Sequence, residues 1–157
     1  MTQRPPPYAD LVFGSTKAWR ATVSTAFRQW HADSHCHLNH GYSLTFEATF
    51  EADELDERNW VVDFGSFKTF KTWLEGMFDH TTLVASDDPQ LEWFREADRR
   101  DILELREVNA TGCEATALMT FRYLEAWLVD HKFSPRVRLM KLEVREHENN
   151  SAYVRRR

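Results

Sequence analysis

The run from Gly41 to Ala52 constrains this chain more than any other stretch. Leu44, Phe46, Ala48, Phe50 and Ala52 alternate with Ser43, Thr45, Glu47, Thr49 and Glu51. Successive strand side chains point to opposite faces, so this pattern predicts a strand with one apolar and one wet face. A sheet with such a face must cover it with helices or with a second sheet. His40 and Tyr42 share the parity of Leu44 and Phe46 and are expected to point inward. An unpaired imidazole is costly to bury there, so a metal or a hydrogen-bond partner is required.

The cover is supplied by helical spacing further on. Trp60-Val61-Val62 ends at Asp63, a good N-cap, and Phe64, Phe67, Phe70, Trp73, Leu74, Met77 and Phe78 then recur at helical intervals. Asp79-His80 closes that helix. Asp88-Pro89 reads as an N-cap followed by proline at the first helical position, opening a second helix through Leu91, Phe94 and Ala97. Ile102 to Val108 is a candidate short strand. Thr111-Gly112-Cys113-Glu114 opens a third helix carrying Leu118, Phe121, Leu124 and Leu128. Arg136 to Glu146 reads as a strand with Met140, Leu142 and Val144 on one face, Asn149-Asn150 as a turn, and Ser151 to Val154 as a short strand. Before the alternating run, Thr22 to Phe27 is rich in β-branched residues and reads as a further strand. Two strands, then helices, then two strands give an α+β domain, with helices on one face of an antiparallel sheet.

The chain has 157 residues, a length suited to one domain spanning 1–157, with Pro-rich residues 1–10 and the terminal arginines 155–157 expected as flexible tails. A net charge of -5 argues against nucleic-acid binding through a broad basic face. No apolar run approaches the roughly 20 residues a membrane-spanning helix needs. Cys36 and Cys113 stand far apart and make no disulfide framework, and no apolar leader precedes the chain's first strand. These features point to a reduced, cytoplasmic protein.

Chemistry concentrates between His31 and Tyr42. Four of seven histidines (His31, His35, His37 and His40) and one of two cysteines (Cys36) fall there. Imidazole and thiolate are the usual zinc ligands, and a thiol beside such groups gains acidity. A wet surface loop is the plain alternative for the stretch. Cys113, at a helix start, is read as a small hydrophobe without chemistry, and His131 and His147 as surface residues.

In order along the chain, these residues resemble the 6-pyruvoyl-tetrahydropterin synthase and 6-carboxy-tetrahydropterin synthase family. Cys36 stands four residues before His40-Gly41-Tyr42. Val62-Asp63-Phe64 precedes the first long helix and Asp79-His80 follows it. Thr111-Gly112-Cys113-Glu114 opens the later helix, and Val144-Arg145-Glu146 lies on the late strand. The resemblance covers about residues 22 to 154. It implies the tunnelling (T-) fold, with a four-stranded antiparallel sheet assembling into a ring, commonly a hexamer. It also implies a zinc-dependent lyase acting on 7,8-dihydroneopterin triphosphate in queuosine and 7-deazaguanine precursor synthesis. By position, Cys36 is the proton-abstracting base, Asp79 and His80 shuttle protons, and Glu146 grips the guanidine-like edge of the pterin. Glu114 is either a helix-capping carboxylate or a second pterin contact.

One departure stands out. Tyr42 occupies the third metal-ligand position of the family's His-Gly-His, and neutral tyrosine must lose its proton to bind a metal. His31 keeps the family's spacing from Phe27. A site rebuilt from His31, His35 and His40, with His37 within reach and Tyr42 near the substrate, is the expected arrangement. Two other outcomes stay open: 6-pyruvoyl-tetrahydropterin synthase activity, and a non-catalytic pterin- or purine-binding T-fold protein that has lost its metal.

Overall fold

The computed structural model describes residues 11–157, so the expected tail at 1–10 lies outside the described residues. Six strands form one sheet in the order β4-β3-β1-β2-β5-β6. They are β1 (Phe13–Phe27), β2 (His40–Ala52), β3 (Thr81–Ala85), β4 (Leu105–Val108), β5 (Arg138–His147) and β6 (Asn150–Arg155). Three helices accompany them: α1 (Lys68–Phe78), α2 (Leu91–Arg99) and α3 (Cys113–Asp130).

The antiparallel part is the expected one. β1 pairs with β2, β2 with β5 and β5 with β6. The four-stranded sheet is corrected to six strands, because β3 runs parallel to β1 and β4 parallel to β3. All five residues of β3 are buried, so it shows no alternation to betray a strand. The short strand anticipated at Ile102 is real but begins only at Leu105, and α2 is its crossover from β3.

β1 starts nine residues earlier than the β-branched run implies. Its register shifts between Trp19 and Val23, which breaks the alternation that would have exposed its length in the sequence. In β5 a second shift puts Leu139, rather than Met140, into the core beside Leu142 and Val144. Arg155, expected in a loose tail, ends β6, and the Arg156 side chain donates to the Leu139 carbonyl at 2.9 Å.

The apolar sheet face carries Leu44, Phe46, Ala48 and Phe50, each no more than 2% exposed. Phe70, Leu74 and Phe78 of α1 and Phe121, Leu124 and Leu128 of α3 join them in one core. Asp63 accepts the Gly65 N–H at 2.8 Å and starts a single 3₁₀ turn, Phe64–Phe67, from which α1 continues. Asp88 does not cap α2, which starts after Gln90; it is held by Arg28 instead. On the opposite face charges alternate. Arg20 sits 3.5 Å from Glu47, and Glu143 lies between Lys141 and Arg145.

Candidate functional site

The site gathers at the end of the sheet where β1 gives way to the His-rich loop. Phe27 pairs with His40 across the ladder, and Tyr42 stacks flat on Phe27, with ring centroids 3.8 Å apart and planes 4° from parallel. Tyr42 is half-buried and His40 exposed, so the inward-facing expectation holds for the tyrosine and fails for the histidine at the strand's end.

Arg28 fixes this end of the sheet. Its guanidinium forms a two-pronged pair with Asp88, 2.8 Å from Nε and 2.6 Å from Nη2. Nη1 also donates to the His37 carbonyl at 3.4 Å, and the Arg28 carbonyl accepts the Thr111 hydroxyl at 2.6 Å. Asp88 is 5% exposed, and burial pushes its carboxyl up, but Arg28 and the Gln90 N–H together hold it below the usual carboxylate range. The next residue, Gln29, donates its N–H to the Cys36 carbonyl at 2.9 Å and closes the loop on itself. Its side chain lies against Gly112, whose φ of +109° suits only glycine.

Gly112 leads into Cys113 and Glu114 at the start of α3. The Cys113 thiol donates to Glu146 Oε2 at 3.6 Å, and the Asn150 amide donates to Oε1 at 2.9 Å. Phe27, Gln29, Cys113, Glu114, Glu146 and Asn150 are among the residues lining a cavity of about 370 Å³. Burial, reinforced by Glu146, pushes the Cys113 thiol up to about 12. Burial, reinforced by Cys36, Glu146 and Cys113, pushes the Tyr42 phenol up to about 12 as well. A protonated phenol is a hydrogen-bond donor. A neutral thiol beside a carboxylate is chemistry the sequence reading did not assign to Cys113. Its partner lies 33 residues away, and no local spacing announces it.

Asp79 and His80 form a pair, with His80 Nδ1 at 3.1 Å from Asp79 Oδ2. The Ser24 N–H donates to Asp79 Oδ1 at 3.0 Å and the His80 N–H to the Ser24 carbonyl at 2.6 Å. The Ser24 N–H first, and His80 after it, hold the Asp79 carboxyl below its ordinary range. Ser24 pairs with Ser43, three positions from the Phe27–His40 pair. At about 3.3 Å per residue, that puts the dyad's anchor roughly 10 Å along the ladder from the His-rich loop.

His31, His35 and His40 do not come together. His31 Nε2 lies 3.3 Å from Asp87 Oδ2, and the Trp30 indole donates to Asp87 Oδ1 at 3.1 Å. His35 sits exposed in the short 3₁₀ turn that carries Cys36. His37 and His40 turn Nδ1 to the Ser34 and Leu38 carbonyls, at 2.7 and 2.8 Å. Among the described residues, no group of three or more His, Cys, Asp or Glu side chains is placed to hold a metal ion.

Comparison with known proteins supplies the context. The family model described as 6-pyruvoyl tetrahydropterin synthase matches residues 18–157. The chain is 32% identical over 57 residues to the 6-carboxy-5,6,7,8-tetrahydropterin synthase of Rickettsia conorii, a match covering 36% of this chain and 41% of that protein. It is 32% identical over 92 residues to the probable 6-carboxy-5,6,7,8-tetrahydropterin synthase of Halobacterium salinarum, covering 57% of each. These matches thus span about two fifths to three fifths of the relatives' length. Among solved structures, an uncharacterized protein from Wolinella succinogenes superposes with a TM-score of 0.82 at 16% identity, covering 94% of this chain and 99% of that one. The 6-pyruvoyl tetrahydropterin synthase of Caenorhabditis elegans gives 0.63 at 16% identity, covering 94% and 97%. That of Plasmodium falciparum gives 0.68 at 11%, covering 92% and 98%. At these identities the structural likeness establishes the fold alone, and that fold is the T-fold.

Proposed function

The chain belongs to the 6-pyruvoyl tetrahydropterin synthase family, and on that premise we propose that it is a lyase-type pterin synthase of the 6-carboxy kind, acting on 7,8-dihydroneopterin triphosphate. The observation that carries this reading is Glu146, a half-buried carboxylate facing a polar cavity with Cys113, Gln29 and Glu114 around it. A carboxylate accepts two parallel N–H bonds from a pterin's guanidine-like edge in a charge-assisted, geometry-specific contact. Glu114 stands beside it as the second contact, and Tyr42 presents its hydroxyl to the bound side chain. Cys36 acts as base on the side chain, and the Asp79–His80 pair carries protons. General acid–base groups of this kind contribute about 10²- to 10⁴-fold each.

The family resemblance implies zinc, but the donors in this chain do not fit a three-ligand centre, so no step is routed through a metal. The edges of the sheet support a homo-oligomer. β4 pairs only with β3 and β6 only with β5 among the described residues, and open edges are commonly covered by association. No helix among the described residues is long and apolar enough to cross a membrane.

The test is incubation of the purified protein with 7,8-dihydroneopterin triphosphate, with products read by mass spectrometry. A 6-carboxy product is expected, reduced at least about 100-fold by Cys36→Ala. A 6-pyruvoyl product would keep the reaction class and move the product. Unchanged substrate with folded protein would overturn turnover. It would favour a second reading, a site that binds a pterin or purine without converting it. That reading draws on Tyr42 at the family's third ligand position and on the 10 Å between the dyad's anchor and the Cys36 loop.

A further inference from the structure

We propose that this chain carries a metal-free version of the family site, and that Tyr42, stacked on Phe27 where a third donor would stand, is what makes it so. A zinc centre needs its imidazole nitrogens converging at about 2.0 to 2.1 Å from one point, in neutral form with a free lone pair. The loop histidines are disposed otherwise. His31 turns Nε2 to Asp87, which the Trp30 indole fixes from its other oxygen. That places His31 against the segment after β3 rather than over β2. His37 and His40 both turn Nδ1 to a backbone carbonyl, as a metal ligand would, and of the two it is His40 that stands on β2. Its neighbour on the same strand face is the Tyr42 ring, 4.5 Å away between centroids. A phenol must lose its proton before it can bind a metal, so it is a poorer donor than an imidazole at that position.

The same arrangement gives the site something else. The Tyr42 ring is held in a parallel stack on Phe27, and Phe27 lines the cavity with Glu146 and Cys113. The phenolic O–H is therefore a donor beside the cavity that Phe27 lines. It suits a ligand oxygen, a hydroxyl or carbonyl on the side chain of a planar heterocycle whose N–H edge sits on Glu146. Where a metal would polarise that oxygen by charge, Tyr42 does so by a hydrogen bond.

The inference rests on the pterin reading only for where a metal would sit, and its readout needs no pterin. The protein is stripped with a chelator, incubated with excess zinc sulfate, desalted, and its zinc counted by mass spectrometry. Wild type should hold well under one zinc per chain. Tyr42→His, which sets a second imidazole beside His40 on β2, should bind zinc at least about tenfold more tightly than wild type in competition with a fluorescent chelator. Tyr42→Phe should match wild type. One zinc per wild-type chain would overturn the proposal, as would equal zinc affinity in folded wild type and folded Tyr42→His. Should Tyr42→His fail to fold by circular dichroism, wild type decides alone: retention of zinc overturns the proposal and its loss on desalting supports it. Failure of turnover would leave the zinc count unaffected, so the two readings fail separately.

Discussion

Replacing Asp88 by alanine should cost this protein more stability than any surface change, and the structure sets the size. The Asp88 side chain is 1% exposed and the Arg28 side chain 19%. Two donor distances of 2.8 and 2.6 Å satisfy the guanidinium, and the Gln90 N–H adds a third bond to the carboxylate at 2.8 Å. Removing one partner of such a pair leaves an uncompensated charge, which costs about 3 to 5 kcal/mol. In a domain this size each kcal/mol moves Tm by roughly 2 to 4 °C, so the melt should fall by about 6 to 20 °C. The pH dependence has a definite sign. The folded carboxyl is held below its unfolded value of about 3.9, so the pair's contribution is complete above that pH and is lost as pH falls through the folded value. The gap between wild type and Asp88→Ala should therefore narrow in acid. Differential scanning calorimetry at pH 7 and pH 3 measures both. The double variant Arg28→Met/Asp88→Leu should recover part of the loss, because no unpaired charge remains. A single variant within about 1 kcal/mol of wild type would refute the reasoning, as would a gap that widens in acid.

Two further outcomes follow from the site itself. Glu146→Gln should weaken dihydropterin binding by about 10- to 150-fold, the range of one charged hydrogen bond at 1.5 to 3 kcal/mol, measured by ligand fluorescence; unchanged affinity would remove Glu146 from the pocket's chemistry. Gly112→Ala should cost about 1 to 3 kcal/mol in chemical denaturation, because φ is +109° and an added Cβ would lie 2.7 Å from Gln29 Nε2; adding Gln29→Ala should relieve the contact but not the backbone strain, and an unshifted midpoint would contradict both.

What could be seen in the sequence was decided by burial. β2 was legible because one face is wet, so Leu44 to Ala52 alternate. β3 was not, because Thr81 to Ala85 are buried throughout and alternation vanishes. The shift that buries Leu139 in place of Met140 reflects how β5 meets β2, which β5's own residues do not encode. The ordered motif set placed the family, but side-chain partnerships across the fold stayed hidden. Asp88 looked like a helix cap because serine-like capping chemistry and a buried ion pair call for the same carboxylate. His31 looked like a ligand because nothing local announces Asp87, 56 residues on. Cys113 looked inert because its chemistry belongs to Glu146. Glu146 follows Val144 by two positions on β5, a parity that sets a carboxylate on an apolar strand face where it needs a partner, and Cys113 and Asn150 supply it.

The Thr111 hydroxyl bond to the Arg28 carbonyl joins positions 83 residues apart. The entropy of closing a flexible loop rises only with the logarithm of its length, so doubling the intervening chain would add about 0.6 kcal/mol. The pocket is insulated in this way from the length of what connects its parts. Residues inserted at the exposed positions 57–59 would lengthen the tether without moving its ends, since strand register and the Arg28 clamp set where positions 28 and 111 meet. The exposed turns between them are thus free to gain length, while the few residues at the clamp are not free to change identity.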